Sequence, residues 1–166
     1  MNNNDILRRI RHSFDFNHAK IISILELAGH EATREQVSGW LKREDDPALL
    51  ACSDTELTSF LNGLIIETRG RKEGVQPVPE QRLTNNIVFM KLKIALNLQA
   101  DEVLEILILA GYEMSRHELS ALFRKSDNKH YRTCTDEVLN LFLKGMQIKY
   151  RDKPAVPEAT QSVPTD

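Results

Sequence analysis

The strongest constraint on this chain is that it is written twice. Shifting the 166-residue sequence by 82 positions lays residues 3–69 over residues 85–151 without a gap, and 19 of the 67 aligned pairs are identical. The identities cluster. ILELAGHEATR (Ile24–Arg34) lies over ILILAGYEMSR (Ile106–Arg116), and CSDTELTSFLNG (Cys52–Gly63) over CTDEVLNLFLKG (Cys134–Gly145). Asn3-Asn4 falls on Asn85-Asn86, and Gly29/Gly111, Cys52/Cys134 and Gly63/Gly145 stay in step. An ancestral duplication explains this better than convergence, and any fold assigned to one half has to serve the other.

Each copy reads as four helices, because its apolar residues recur at three- and four-residue spacing and neither copy shows a period-two strand. The first helix turns Ile6, Leu7, Ile10 and Phe14 inward, matched by Val88, Phe89, Leu92 and Leu96. The asparagines before them suit N-cap positions. The second helix spans about 17–28 and 100–110, with Ile21, Ile22, Leu25 and Ala28, or Val103, Leu104, Leu107 and Ala110, inward; Gly29 and Gly111 end it. Capping boxes Thr33-x-x-Gln36 and Ser115-x-x-Glu118 open the third helix. Its inward residues are Val37, Trp40 and Leu41, or Leu119, Leu122 and Phe123. The fourth starts near Ser53/Asp54 and Thr135/Asp136 and buries Leu57, Phe60, Leu61 and Leu64, or Leu139, Phe142, Leu143 and Met146. The expectation is an all-α fold of two tandem four-helix units, residues 1–69 and 83–152. Between them, 70–82 carries Gly70, Gly74, Pro77 and Pro79 and reads as a linker; 153–166, rich in Pro, Ser and Thr, reads as a disordered tail. Units of about 70 residues lie near the lower limit for an independent core, so the copies are expected to pack on each other or to dimerise.

RLTNNIVFMKLKIALNL (Arg82–Leu98), EILILAGYEMSRHELSALFRK (Glu105–Lys125) and FLKGMQIKYR (Phe142–Arg151), with Tyr131-Arg132-Thr133-Cys134, resemble the YehS-like bacterial proteins, the domain of unknown function 1456. The resemblance covers nearly the whole chain except the tail. It implies a tandem helical repeat and assigns no catalytic or binding residue. It also implies Asp at the place of Ile87, where Asp5 stands in the first copy.

Charge and chemistry narrow the function classes. Lys+Arg 22 against Asp+Glu 24 gives a net charge of -2, without the basic excess of a whole-chain nucleic-acid binder. The copies differ: residues 1–70 hold 8 basic and 11 acidic groups, and residues 83–152 hold 10 and 9. A basic loop in the second copy, Arg124, Lys125, Lys129, His130 and Arg132 with Phe123 and Tyr131 interleaved, suits phosphates and a stacked base. With Arg116 it follows a helix-turn-helix-like hairpin, Ala100–Arg124. The opposite signs of the copies fit head-to-tail association equally well, and a solvated loop is the plainest reading. The charges ending the last helix, Lys144, Lys149, Arg151 and Lys153, and the run Arg69, Arg71, Lys72, suit the negative C-termini of their own helices.

Cys52 and Cys134 stand before Ser/Thr-Asp helix starts but have no matched histidine to act as base, so they read as buried structural thiols. Asp54 and Asp136 read as helix caps. The five histidines make no His-x-x-His pair, and no metal or cofactor is expected. No signal segment is visible, and the longest apolar run, Ile106–Ala110, is too short to span a bilayer, so a cytoplasmic location is expected. The leading expectation is a non-enzymatic interaction module binding a protein partner or a second copy. The alternative is a nucleic-acid-binding regulator using Arg116, Arg124, Lys125, Lys129, Tyr131 and Arg132.

Overall fold

A computed structural model describes residues 1–71 and 78–152 and contains eight α-helices, four per copy. They are α1 (Asn3–Phe14), α2 (His18–Leu27), α3 (Arg34–Trp40), α4 (Asp54–Arg69), α5 (Asn85–Ala95), α6 (Ala100–Leu109), α7 (Arg116–Leu122) and α8 (Asp136–Gln147). A single π-helical turn, Ile148–Asp152, prolongs α8. No strand occurs among the described residues. The expected tail from 153 and part of the expected linker, 72–77, lie outside the described residues.

Local chemistry sets the helix ends in matched fashion. Thr33 and Ser115 close the expected capping boxes on Gln36 and Glu118. α2 and α6 stop at Gly29 (φ 77°) and Gly111 (φ 83°). α1 and α5 stop at Asp15 (φ 55°) and Asn97 (φ 56°), an aligned pair and two residue types that tolerate the left-handed region. The expected fourth-helix caps need correcting. Ser53 and Thr135 are the N-caps, accepting from the backbone N–H of Glu56 and Val138, and Asp54 and Asp136 are the first helical residues.

The expected asparagine cap holds in the first copy, where Asn2 caps α1, and needs correcting in the second, where Thr84 caps α5; in both the cap lies one residue before the doubled Asn-Asn. The paired asparagines instead clamp each first helix to the loop before the fourth. Asn4 Nδ2 donates to Trp40 O at 2.9 Å and Leu50 O at 2.8 Å, and its Oδ1 accepts from Cys52 N at 3.0 Å. Asn86 repeats this with Leu122 O, Arg132 O and Cys134 N at 3.0, 2.8 and 2.9 Å. Asn3 and Asn85 donate to Cys52 O and Asp54, and to Cys134 O and Asp136, in the same way. Only a side chain with both donors and an acceptor can satisfy that set.

Most of the expected core is buried, including Ile6, Leu7 and Ile10 with their counterparts and all eight residues assigned to α4 and α8. The second helices are rotated from the expectation. Ile24 and Ile106 are buried, whereas Ile22, Ala28, Leu104 and Ala110 are only half-buried. The cause is the crossing with the fourth helix. A Cβ on Gly63 would lie 1.9 Å from Ile24 O, and one on Gly145 2.0 Å from Ile106 O, so only glycine lets these backbones meet. The third helices are similarly shifted, with Leu41 and Phe123 half-buried, as are Phe14 and Leu96 at the ends of the first.

The copies pack on each other, and they do so reciprocally. α1 lies against α8, and α5 against α4. The Met1 amino group donates to Asp136 Oδ2, and at the aligned position Leu83 N donates to Asp54 Oδ2. Arg151 donates to His12 O at 2.7 Å, and Arg69 to Ile94 O at 3.1 Å. Such exchange of identical patches is the signature of a two-fold arrangement, not of the head-to-tail association that the opposite charges fitted equally well. It also corrects the reading of Arg69 and Arg151. Each serves the exposed C-terminal carbonyls of the other copy's first helix, where unpaired carbonyls attract a cation.

Candidate functional site

The two-fold arrangement creates two matched seams, and they differ. Between α4 and α5 lies an open groove of about 960 Å³. Its apolar floor is Ile65 and Ile66 from α4 and Ile87, Met90 and Ile94 from α5, with Leu27 at one end. The α1–α8 seam holds two smaller pockets of about 550 Å³ each. The first is lined by Asp5, Arg8, Arg9, Asp136, Glu137 and Asn140 with Met1, a nearly all-polar set. The residues facing each other across the alignment explain the contrast. Ile87 replaces Asp5, Met90 replaces Arg8, Ile94 replaces His12, and Ile65 replaces Gln147. In the polar seam, Arg8 pairs with Asp5 and also donates to Lys42 O, bridging the space that Met90 leaves open on the other side.

The expected basic patch is divided. Arg124, Lys125 and Tyr131 line the end of the groove nearest the start of α5. Arg124 and Lys125 are exposed and join no ion pair among the described residues. Arg116, Lys129 and Arg132 are exposed but do not line the groove. Arg116 pairs with Asp101 of α6. Arg132 sits beside α7: its N–H donates to Ala121 O, and its charge adds to the Ser115 hydrogen bonds that hold the Glu118 carboxyl below its ordinary range. Phe123 is committed to packing, 5.1 Å from the Phe89 ring centroid with Lys93 Nζ over its face. The α6–α7 hairpin exists, but α7 has seven residues, a length of about 10 Å.

At the far end of the groove, Arg69 and Arg71 supply positive charge, with Arg71 donating to Leu27 O. Midway, Lys91 donates to Asn62 Oδ1 at 2.7 Å and lies 3.4 Å from Glu80 Oε1. Of the other groove residues, Phe123 was expected in the basic loop, Arg69 and Arg71 as helix-end charges and Ile87 as a departure from Asp, whereas Asn62, Ile65, Ile66, Glu80, Met90, Lys91 and Ile94 were not singled out from sequence as site residues. The available signal was the polarity change between aligned residues, which the Ile87/Asp5 pair already displayed.

The thiols are no reactive site. Cys52 and Cys134 are 6% and 1% exposed. Burial pushes Cys52 up to about 12, helped by Glu56 and Asp54, and Cys134 up to about 11, helped by Asp136. Among the described residues no group of three His, Cys, Asp or Glu side chains is placed to hold a metal ion, and no helix is long and apolar enough to cross a membrane.

Comparison with known proteins agrees with this architecture. No solved structure matches the chain. It is 42% identical over 154 residues to the "Uncharacterized protein YehS" of Escherichia coli (strain K12), an alignment covering 92% of this chain and 99% of that protein. The family described as "Protein of unknown function (DUF1456)" matches twice, over residues 3–70 and 85–152, one match for each four-helix unit. By that double match, the chain belongs to the DUF1456 family.

Proposed function

We propose that this protein is a cytoplasmic, non-enzymatic interaction module that holds a segment of a partner protein in the α4–α5 groove. The observation that carries this reading is the divergence of two seams with a common origin. One is lined almost wholly by polar and charged side chains, while the other keeps an open apolar floor with cations at its rim that join no ion pair among the described residues. Isoleucine and methionine along an accessible groove cost solubility unless they are used, and methionine adapts readily to varied apolar partners.

The test copies the polar seam onto the apolar one. Ile87→Asp with Met90→Arg installs side chains that the first copy already tolerates at Asp5 and Arg8. The double variant should fold normally and lose its partner in affinity purification from the native cell, with and without nuclease. Retention of the same partner by the variant would refute the groove. A second reading, nucleic acid on the loop of Arg124, Lys125, Lys129 and Arg132, has in its favour four exposed cations within nine residues. It requires binding that weakens steeply as salt rises and that is lost when Arg124 and Lys125 are reversed in charge.

A further inference from the structure

Midway along the groove the structure holds a polar site whose hydrogen bonds are incomplete. Lys91 Nζ donates to Asn62 Oδ1, and an ammonium cannot accept, so the orientation of the Asn62 amide is set. This leaves Asn62 Nδ2 on the groove wall with no acceptor, in a residue only 5% exposed. Glu80 approaches Lys91 from the other side at 3.4 Å, and its buried Oε1 accepts no hydrogen bond. An unmet buried donor and an unmet carboxylate oxygen each weaken the free protein, and a better-placed acceptor would relieve the donor.

Resting on the reading of the groove as a docking surface, we propose that its occupant is an acidic amphipathic helix of a partner protein. One carboxylate of that helix displaces Glu80 from Lys91 and accepts from Asn62. Ile87, Met90, Lys91 and Ile94 follow i, i+3, i+4, i+7 spacing and so line the groove from one face of α5, an elongated surface of the kind an amphipathic helix covers. Positive charge stands at three separated points, Arg124 and Lys125 at one end, Lys91 in the middle, Arg69 and Arg71 at the other, and these five cations outnumber the two carboxylates of the lining, Glu26 and Glu80. A single-headed amphiphile satisfies one of these, whereas a helix with carboxylates on its flanks satisfies all three. Nucleic acid would set its phosphates and bases against an aliphatic floor whose lining rings are Tyr131 at its margin and Phe123, which is already packed on Phe89.

The experiment uses the full chain, isotope-labelled at isoleucine and methionine methyl groups, titrated with a designed helical peptide. The peptide carries Leu at i, i+3, i+4, i+7 and Glu on the flanks, and its counterpart carries Lys for Glu. The acidic peptide should shift the Ile87, Met90 and Ile94 methyl resonances to saturation, and the basic one should leave them in place. Glu80→Gln should tighten binding roughly threefold or more by removing the internal competitor. Lys91→Met should weaken it roughly tenfold or more, and Lys91→Arg should restore it. Unchanged Trp40 fluorescence is the check that the Lys91 variants are folded. Equal shifts from both peptides would overturn the acid site and leave the groove reading standing. Methyl resonances that neither peptide moves would overturn both. Binding that Glu80→Gln weakens or leaves unchanged would overturn the displacement of Glu80.

Discussion

The α4–α5 and α1–α8 seams began as one surface and now differ in the side chains that line them, while the copies that meet there keep the same internal framework. Within each copy Asn4 and Asn86, and Gly63 and Gly145, make the same contacts, and across the seams Arg69 and Arg151 reach the same helix-end carbonyls. The divergent part is a stripe of half-exposed residues, Asp5 against Ile87 and Arg8 against Met90. Residues that close the backbone tolerate little change, because a lost hydrogen bond or an added methyl group there has no compensation from water. Rim residues are free to exchange an ion pair for an apolar floor, since the stability at stake is small on either side.

That comparison breaks most sharply at the glycines. Gly63→Ala and Gly145→Ala should each destabilise by about 3 kcal/mol or more, since backbone rather than a side chain lies in the way. Denaturant unfolding of each variant measures this, and a tolerated alanine in either copy would deny the shared crossing. Next come Asn4→Ala and Asn86→Ala, each leaving Cys52 N or Cys134 N buried without an acceptor. A loss of about 2–3 kcal/mol is expected in both, equal within the error of the same assay. Arg69→Ala and Arg151→Ala should cost about 1 kcal/mol each, because an exposed charged hydrogen bond to a helix-end carbonyl is removed, together with a long exposed ion pair to Asp15 in the case of Arg151.

The pH effect of the thiols is confined to the alkaline range and vanishes at neutrality. Their protons are held more tightly in the folded protein, at about 12 for Cys52 and about 11 for Cys134 against an ordinary 9.0. A raised folded value stabilises fully below pH 9. The contribution fades as pH climbs from 9 toward 11 and 12, where the unfolded chain releases protons that the folded one keeps. Stability measured across that range should fall less steeply in Cys52→Ala than in Cys134→Ala, since Cys52 has the larger shift. The native protein should meanwhile resist thiol reagents at neutral pH.

The four-helix unit was legible because its signals are local. Caps at Thr33 and Ser115, stops at Gly29 and Gly111, and the apolar spacing of α4 and α8 act within a few residues and occur twice. The errors were at places where another element intervenes. Ile22 and Ile24 both fit an apolar helix face, and only the approach of Gly63 selects Ile24. Asn3 and Asn4 resemble caps by composition, and only the loop at Leu50–Cys52 makes them clamps. Of the candidate site, Arg124, Lys125 and Tyr131 were visible as a charged loop. Asn62, Lys91 and Glu80 were not, because their meeting depends on the placement of the second copy against the first.

By itself the sequence determined that one helical unit was duplicated and that both copies fill their interiors alike, since hydrophobic periodicity and capping are properties of neighbouring residues. The tertiary structure decided that the copies face each other across a two-fold, that one seam gathered charged side chains, and that the other kept an apolar groove. Those outcomes depend on which of many exposed side chains are brought together, and periodicity along a chain does not specify how two surfaces meet.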